Sequence, residues 1–324
     1  MPTKGVSRVG GLGTAVGACL VLALGVSGCS GSSPDPADGA PASTPSGTPS
    51  SAAPSTPAPS HPPRSPSPTA TAATPSGTAA ATPSAAARAL RLPPRHAGFD
   101  YQIGGAYKPP SGVRIVSRDR ASKPAPGLYN ICYVNAFQTQ PEERSSWPSD
   151  LLLKDANGEQ VVDEDWGEVL LDIRTPAKRQ RVAARVNAWI DGCADKGFDA
   201  VEPDNYDSYT RSDGLLKASD AVAFIELLSR HAHARGLAIA QKNTVELAGE
   251  RKKAGLDFAV AEECGAYDEC GAYAKAFDDR VVVIEYTGEG LRKAVAGFGK
   301  RLSIVRRDVM VTTPGSDTYV RTVR

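Results

Sequence analysis

Acidic side chains follow two short apolar runs in the second half of the chain. Asp204 comes shortly after the run Asp199–Glu202, and Glu262 comes directly after Phe258–Ala261. Two carboxyl groups that face one cleft suit the cleavage of an acetal, because one protonates the leaving oxygen while the other attacks the anomeric carbon or activates water. Crowded carboxyl groups also raise the pKa of at least one of them, as a general acid requires. We therefore predict Asp204 and Glu262 to be the catalytic pair.

Other polar side chains stand in similar positions along the chain. Ion pairs with Arg118, Lys242 and Arg306 could account for two or three of the acids, but not for acids on six strands. Of the neighbours Glu262 and Glu263, we expect the first to point into the cleft in the catalytic role. The predicted substrate-binding residues are Asp100, Asp119, Tyr133, Asn205, Tyr209, Lys242, Asn243, Glu263, Glu285 and Tyr286.

Eight β-rich apolar runs position these residues, and amphipathic stretches separate most of the later runs. Helices are predicted over Pro176–Asp195 and Ser219–Arg235, the second starting at Ser219 and stopping at Gly236. The predicted strands are Phe99–Ile103, Val113–Val116, Leu128–Val134, Asp199–Glu202, Leu237–Ala240, Phe258–Ala261, Val281–Glu285 and Leu302–Val305.

This alternation predicts a single α/β domain, a (β/α)₈ TIM barrel, over residues 93–324. Active sites of such barrels lie at the carboxyl ends of the strands, where the polar residues named above are found. A doubly wound open sheet is the alternative. However, Gly104-Gly105 after the first strand is not part of a GxGxxG motif, so a nucleotide site is not supported.

The amino terminus resembles an export signal. Lys4 and Arg8 precede an apolar run of about a dozen residues, which is shorter than the roughly 20 that span a bilayer as a helix. Small residues before Cys29 resemble a lipoprotein cleavage box, so we expect residues 1–28 to be removed and Cys29 to be lipidated. Residues 29–92 are rich in Ser, Thr, Pro, Ala and Gly, which predicts a disordered linker to a membrane surface. An ordinary signal peptide is the alternative.

Four cysteines then remain in the folded part, an even number that indicates two disulfides in an exported domain. Cys264 and Cys270 are close enough to close a small loop, which leaves Cys132 and Cys193 as the other pair.

Composition and spacing do not favour a metal, a cofactor or a nucleic acid. The formal net charge is +1 and the charges are mixed along the chain, which does not indicate a polyanionic partner. His231 and His233 are two residues apart on a predicted helix, so they cannot both ligate one ion. We expect no cofactor, no metal and a monomer.

Several separate motifs resemble the endo-α-1,4-polygalactosaminidase family, and the resemblance runs from Phe99 to Asp308. They are Gly197–Asn205 with Asp207 and Tyr209, His233–Leu237 leading to Lys242-Asn243, Phe258–Cys264 with Tyr267–Cys270, Ile284–Tyr286, and Ile131–Tyr133 with Cys193. The resemblance implies a (β/α)₈ fold and metal-free hydrolysis of polymers of α-1,4-linked galactosamine or N-acetylgalactosamine.

The family's strand-four Asp falls on Asp204, as nucleophile or its stabiliser, and its strand-six Glu falls on Glu262, as general acid/base. Two departures bear on substrate. Glu263 stands where the family commonly has Gln, and Phe99-Asp-Tyr-Gln replaces a Trp-rich first strand.

The resulting hypothesis is an extracellular, membrane-anchored endo-glycosidase. A catalytically idle barrel that binds carbohydrate, and a hydrolase of a different extracellular glycan, are the alternatives.

Overall fold

The computed structural model describes residues 89–323, and these form one barrel domain. Eight parallel strands lie side by side in chain order in one curled sheet. They are β1 (Gly98–Gln102), β2 (Val113–Asp119), β3 (Tyr129–Asn135), β4 (Ala200–Asp204), β5 (Ala238–Lys242), β6 (Phe258–Glu262), β7 (Val281–Glu285) and β8 (Ser303–Arg307). The predicted TIM-barrel fold is confirmed.

Helices cover the outside of the later strands. They are α1 (Pro176–Lys196), α2 (Ala218–Ala234), α3 (Arg251–Ala254), α4 (Cys270–Ala276) and α5 (Gly288–Phe298), with short 3₁₀ segments at Pro141–Ser146, Ser149–Leu151, Ser208–Arg211 and Val245–Glu250. In the described part of the chain, loops without a helix join β1 to β2 and β2 to β3.

The core has two parts, because alternate residues of each strand face opposite sides of the sheet. Alternate residues such as Ala200, Ala238 and Val260 fill the barrel interior, whereas their neighbours pack under the helices. Because side chains alternate along a strand, every second residue after an inward-facing one also faces inward, up to the end of the strand. Asp204 and Lys242 therefore continue the inward-facing rows at the mouth of the barrel.

The seam between β1 and β8 is closed by the end of the chain. The short strand Arg321–Thr322 pairs antiparallel with β8. Arg321 Nε donates to Asp100 Oδ1 at 2.9 Å and its Nη2 to the Phe99 carbonyl at 3.2 Å, both on β1. A partly buried ion pair thus joins the two edges of the sheet.

A small antiparallel sheet is inserted between β3 and α1, and it was not predicted. Its strands are Gln138–Thr139, Val162–Asp163 and Glu168–Leu170. The sequence signal is a hairpin pattern, in which Val161-Val162 and Val169–Leu171 flank the turn around Gly167. This insert forms one wall above the barrel mouth.

The predicted boundaries that are corrected include one helix start and two strand ends. Helix α2 begins at Ala218 with Lys217 as its N-cap, because Asp220 accepts from the Lys217 amide at 3.0 Å; Ser219 lies inside the first turn. Strands β4 and β5 run to Asp204 and Lys242, two residues past the predicted ends, so these residues belong to the strands. Helix α2 ends at Ala234, and Gly236 follows with a left-handed φ of 71°, so the predicted helix stop is confirmed.

Both disulfides are present as the spacing indicated. Cys132 on β3 is bonded to Cys193 on α1, and Cys264 is bonded to Cys270 at the start of α4. Cys264, Cys270 and Glu285 lie close together. However, disulfide sulfurs are not thiolates, so this group lacks the ligands a metal would need.

The signal segment, Cys29 and most of the predicted linker lie outside the described residues. The described chain already contacts the barrel at Arg91, whose guanidinium donates to Asp199 Oδ1 at 2.9 Å. Among residues 89–323, every helix is too short or too polar to cross a bilayer.

Candidate active site

A buried lysine organises the mouth of the barrel. Lys242 Nζ lies 2.9 Å from Asp204 Oδ1, 3.3 Å from Glu202 Oε1 and 3.4 Å from Glu262 Oε2, and its side chain is 3% exposed. It also donates to the Tyr101 hydroxyl at 3.2 Å. Burial disfavours the ammonium, but the surrounding carboxylates outweigh burial and raise the pKa of Lys242 above its ordinary value. The lysine therefore stays charged.

Asp204 is held as a carboxylate. Its Oδ1 accepts from Lys242 and its Oδ2 accepts from the Tyr133 hydroxyl at 2.7 Å. Burial alone would raise the pKa of Asp204, but the Lys242 charge and these hydrogen bonds outweigh it and lower the pKa below the usual value. An ionised Asp204 with a partly exposed side chain can act as a nucleophile toward a group in the cleft.

Glu262 is positioned by residues of the strands on either side of β6. Asn243 Nδ2 donates to Glu262 Oε2 at 2.9 Å, and Asn243 Oδ1 accepts from the Glu262 amide at 2.9 Å. The Tyr286 hydroxyl donates to Glu262 Oε1. The side chain keeps 21% exposure on the cleft side. It can therefore exchange a proton with a bound molecule from a fixed orientation.

Left-handed residues end the strands at the mouth. Asn205, Asn243 and Glu263 follow β4, β5 and β6 with φ of 65°, 49° and 56°. Asparagine tolerates this conformation better than most residues, whereas a glutamate there costs about 1 kcal/mol or more. The sharp turns leave the last inward-facing side chain of each strand directed into the cleft.

Glu202 lies beneath the lysine and was not predicted as a site residue. It is fully buried, and it accepts from the Tyr101 hydroxyl at 2.8 Å and from Ser117 Oγ at 2.6 Å. Burial raises its pKa to about 7, although Lys242 and Ser117 oppose the shift. Glu202 lies two residues before Asp204 on the same strand and therefore faces the same side, and this spacing could have identified it.

Glu168, from the inserted sheet, is a second unpredicted site residue. Its Oε2 accepts from Asn135 Nδ2 at 2.8 Å and from Asn205 Nδ2 at 3.3 Å. Burial raises its pKa to about 7, with the Asn135 hydrogen bond opposing and the nearby Asp204 charge adding to the shift. Glu168 lies in the inserted sheet and not at the end of a barrel strand, so the strand-end pattern does not identify it.

Asp204, Lys242, Glu262 and Glu168 line a cleft of about 370 Å³ that is strongly acidic. Trp166 lines the cleft and is 51% exposed, whereas Trp147 is buried and does not line it. The charged lining residues are Asp119, Asp163, Asp165, Glu168, Asp204, Asp207 and Glu262, against Arg211 and Lys242. The cleft therefore suits a cationic or neutral molecule with hydroxyl groups better than an anion.

The structure brings most of the predicted site residues together at this cleft. Besides Asp204 and Glu262, they are Asp119, Tyr133, Asn205, Lys242, Asn243 and Tyr286. Tyr286 follows β7 with the inward parity of Val282 and Ile284.

Four predicted substrate-binding residues lie away from the cleft. Asp100 is buried at the seam with Arg321, and Tyr209 donates to Glu246 and does not line the cleft. Glu285 has outward parity and accepts from the Gly265 amide at 2.7 Å under the helices, where burial raises its pKa. Glu263 also has outward parity. A position at the end of a strand does not by itself place an acid in the cleft, because alternate residues face opposite sides of the sheet.

The histidines of α2 have separate partners. His231 contacts Asp191 at 2.8 Å, and His233 contacts Asp257 at 2.8 Å. The hydrogen bond with Asp257 raises the pKa of His233. These two side chains are surface pairs, and neither lines the cleft.

Solved structures and a family model are similar to this chain. A crystal structure of Aspergillus fumigatus Ega3 in complex with galactosamine matches with a TM-score of 0.58 at 23% identity, covering 70% of this chain and 97% of that chain. The glycoside hydrolase domain of PelA from Pseudomonas aeruginosa gives a TM-score of 0.47 at 16% identity, covering 68% and 96%. No curated protein matches. The family model of glycoside-hydrolase family GH114 matches residues 79–323, about three quarters of the chain, and the chain therefore belongs to this family of glycoside hydrolases.

Proposed function

We propose that this chain is an endo-glycosidase that hydrolyses polysaccharide of α-1,4-linked galactosamine and N-acetylgalactosamine. The observation that carries the proposal is the contact of one buried ammonium, Lys242, with both Asp204 and Glu262 at the mouth of the barrel. Two carboxyl groups on one cleft are what glycoside hydrolysis needs. The sequence motifs, and a similar structure described as a galactosamine complex, support the sugar.

The proposed mechanism uses Asp204 as nucleophile and Glu262 as acid and base. An Asp204 oxygen bonds to the anomeric carbon as the glycosidic bond breaks, and Glu262 gives its proton to the leaving sugar oxygen. Glu262 then takes a proton from water, whose oxygen attacks the anomeric carbon and releases Asp204. Lys242 keeps Asp204 ionised before the attack, while Asn243 and Tyr286 hold Glu262 in place.

The spacing of the two carboxylates supports this retaining course. Asp204 Oδ1 and Glu262 Oε2 lie 2.9 Å and 3.4 Å from the same Nζ atom, so these two oxygens are at most the sum of those distances, 6.3 Å, apart. Retaining enzymes place their carboxyl groups about 5 to 5.5 Å apart and inverting ones about 6.5 to 9.5 Å apart. This upper limit for the two oxygens is below the inverting range, and the proposed retaining course predicts a product that keeps the α configuration.

The charge of the cleft supports a preference within this substrate class. Seven carboxyl groups line the cleft against two cationic side chains. A galactosamine polymer carries ammonium groups, whereas its acetylated form is neutral. We expect deacetylated stretches to be the better substrate.

Export and lipid attachment through Cys29 complete the proposal. The apolar amino-terminal run and the small residues before Cys29 support it, and two disulfides fit an oxidising compartment. In a bacterial host, Cys29→Ser should move the protein from the membrane fraction to the soluble fraction. A membrane fraction that keeps the variant would contradict the anchor.

The activity test is the release of oligosaccharides from α-1,4-galactosaminan in acetylated and deacetylated forms by the full chain. Asp204→Asn and Glu262→Gln should each lower kcat by about 1000-fold or more. Asp195→Asn, at an exposed position of α1, is the matched control and should leave the rate unchanged. Sugar binding without turnover would favour the idle barrel, and no binding to either polymer would favour another glycan.

A further inference from the structure

Glu168 stands beside Asp204, on the side opposite the lysine. Asn135 pairs with Asp204 in the register of β3 and β4, and Asn205 directly follows Asp204. The amides of both asparagines donate to Glu168 Oε2, and Asn205 Nδ2 also donates to Asn135 Oδ1 at 3.0 Å. Glu262 approaches Asp204 from the other direction, across Lys242. A sugar attacked by Asp204 would therefore lie between Glu262 and Glu168.

The carboxylate of Glu168 has hydrogen bonds but no ion pair. Within residues 89–323, no lysine, arginine or histidine nitrogen forms a salt bridge with it, although Arg211 pairs with the nearby Asp163 at 2.8 Å and with Asp207. Only one of its two oxygens is engaged by the asparagines. The group is half-buried in the cleft, and Arg211, the nearby cation that lowers its pKa, forms its ion pairs with Asp163 and Asp207 instead.

From this arrangement we infer that Glu168 binds the C2 ammonium group of the galactosamine unit whose anomeric carbon Asp204 attacks, and so sets the preference for the deacetylated sugar. The inference rests on the proposed function. In galactosamine the nitrogen is bonded to the carbon next to the anomeric carbon. A residue that binds this amine therefore lies close to the nucleophile. Glu168 has that position, and it presents a free carboxylate oxygen.

The electrostatics of the free site agree with this role. Burial keeps the pKa of Glu168 at about 7, with Asp204 and Asp163 adding to the shift, and a bound ammonium would favour the ionised form. An acetylated nitrogen carries no charge and would leave a half-buried carboxylate without a counter-ion, which is unfavourable. The same residue can therefore favour the amine and disfavour the amide.

The test compares kcat/KM for α-1,4-linked hexasaccharides of galactosamine and of N-acetylgalactosamine at pH 7.5. Glu168→Gln keeps the size and the acceptor oxygen but removes the charge. The ratio of kcat/KM for the amine over the acetylated substrate should fall by about tenfold or more, mainly through KM for the amine. Glu168→Asp, which keeps the charge, should retain most of the preference.

Asp165→Asn is the matched control, because Asp165 also lines the cleft but lacks the two asparagine contacts. It should change the ratio by less than about threefold. An unchanged ratio in Glu168→Gln, or an equal change in Asp165→Asn, would overturn the inference in favour of the general charge of the cleft. A wild-type protein that cleaves neither hexasaccharide would instead contradict the proposed function.

Discussion

Lys242 Nζ and Asp204 Oδ1 are 2.9 Å apart at the ends of two neighbouring parallel strands. The lysine side chain is 3% exposed and meets two further carboxylates, so its charge is compensated without help from solvent. This contact decides which form of Asp204 is present. It turns an aspartate that burial would protonate into a carboxylate that can attack a sugar.

Removing the lysine charge should therefore raise the pKa of Asp204. Because the proposed mechanism needs ionised Asp204, the acidic limb of the profile of kcat/KM against pH should move to higher pH in Lys242→Met. We also expect kcat near neutral pH to fall by about 100-fold or more. Steady-state rates between pH 4 and 8 measure both effects.

Lys253→Met is the control for this substitution, since Lys253 is exposed on α3 and does not line the cleft. Its profile should match the wild type. An acidic limb that stays in place in Lys242→Met would mean that Lys242 does not set the ionisation of Asp204.

Glu202 should make the fold less stable as pH rises. Its pKa is about 7 in the folded protein and about 4.3 in an unfolded chain, so the folded state holds more protons between these values. Ionisation of Glu202 should therefore lower the free energy of unfolding by about 3 kcal/mol as the pH rises from about 4.3 to about 7. Glu202→Gln cannot ionise and should lose less stability than the wild type between pH 4 and 8.

Denaturant unfolding at pH 4 and pH 8 tests this difference. Glu289→Gln, at an exposed position of α5, should behave as the wild type. Equal losses of stability in Glu202→Gln and the wild type would show that Glu202 is not protonated in the fold.

Asp100 and Asp119 should respond differently to substitution, although both were predicted to bind substrate. Asp100 is fully buried and accepts from Arg321, so Asp100→Asn should lower the free energy of unfolding by about 3 kcal/mol or more while leaving KM unchanged. Asp119 lines the cleft, so Asp119→Asn should raise KM with little loss of stability. A raised KM in Asp100→Asn would contradict a structural role of Asp100 at the seam between β1 and β8.

The sequence predicted the barrel and the cluster of polar residues at its mouth because both depend on local patterns. Apolar runs marked all eight strands, and strand-end positions marked Asp204, Lys242 and Glu262. It did not separate the two faces of a strand, and for this reason Asp100 and Glu285 were assigned to the cleft. Glu168 depends on an inserted sheet whose position above the mouth is a tertiary property, which no local pattern contains.

The two disulfides should contribute unequally to stability. The bond between Cys132 and Cys193 spans 61 residues, whereas the bond between Cys264 and Cys270 spans 6. Chain entropy predicts about 4 kcal/mol for the long loop and about 2 kcal/mol for the short one. Paired alanine variants of each bond, compared by denaturant midpoint, measure the difference. A larger loss from the Cys264 and Cys270 pair would contradict the loop-length argument.

The most direct test of the central claim is to trap the bond between the sugar and Asp204. In Glu262→Ala the acid and base are missing, so an activated α-galactosaminyl fluoride should react with Asp204 and then hydrolyse slowly. Mass spectrometry of the digested protein should find one added galactosaminyl group on the peptide that contains Asp204, and none when Asp204→Asn is combined with Glu262→Ala. A label on another residue, or hydrolysis of the fluoride with no label and with inversion at the anomeric carbon, would contradict the account.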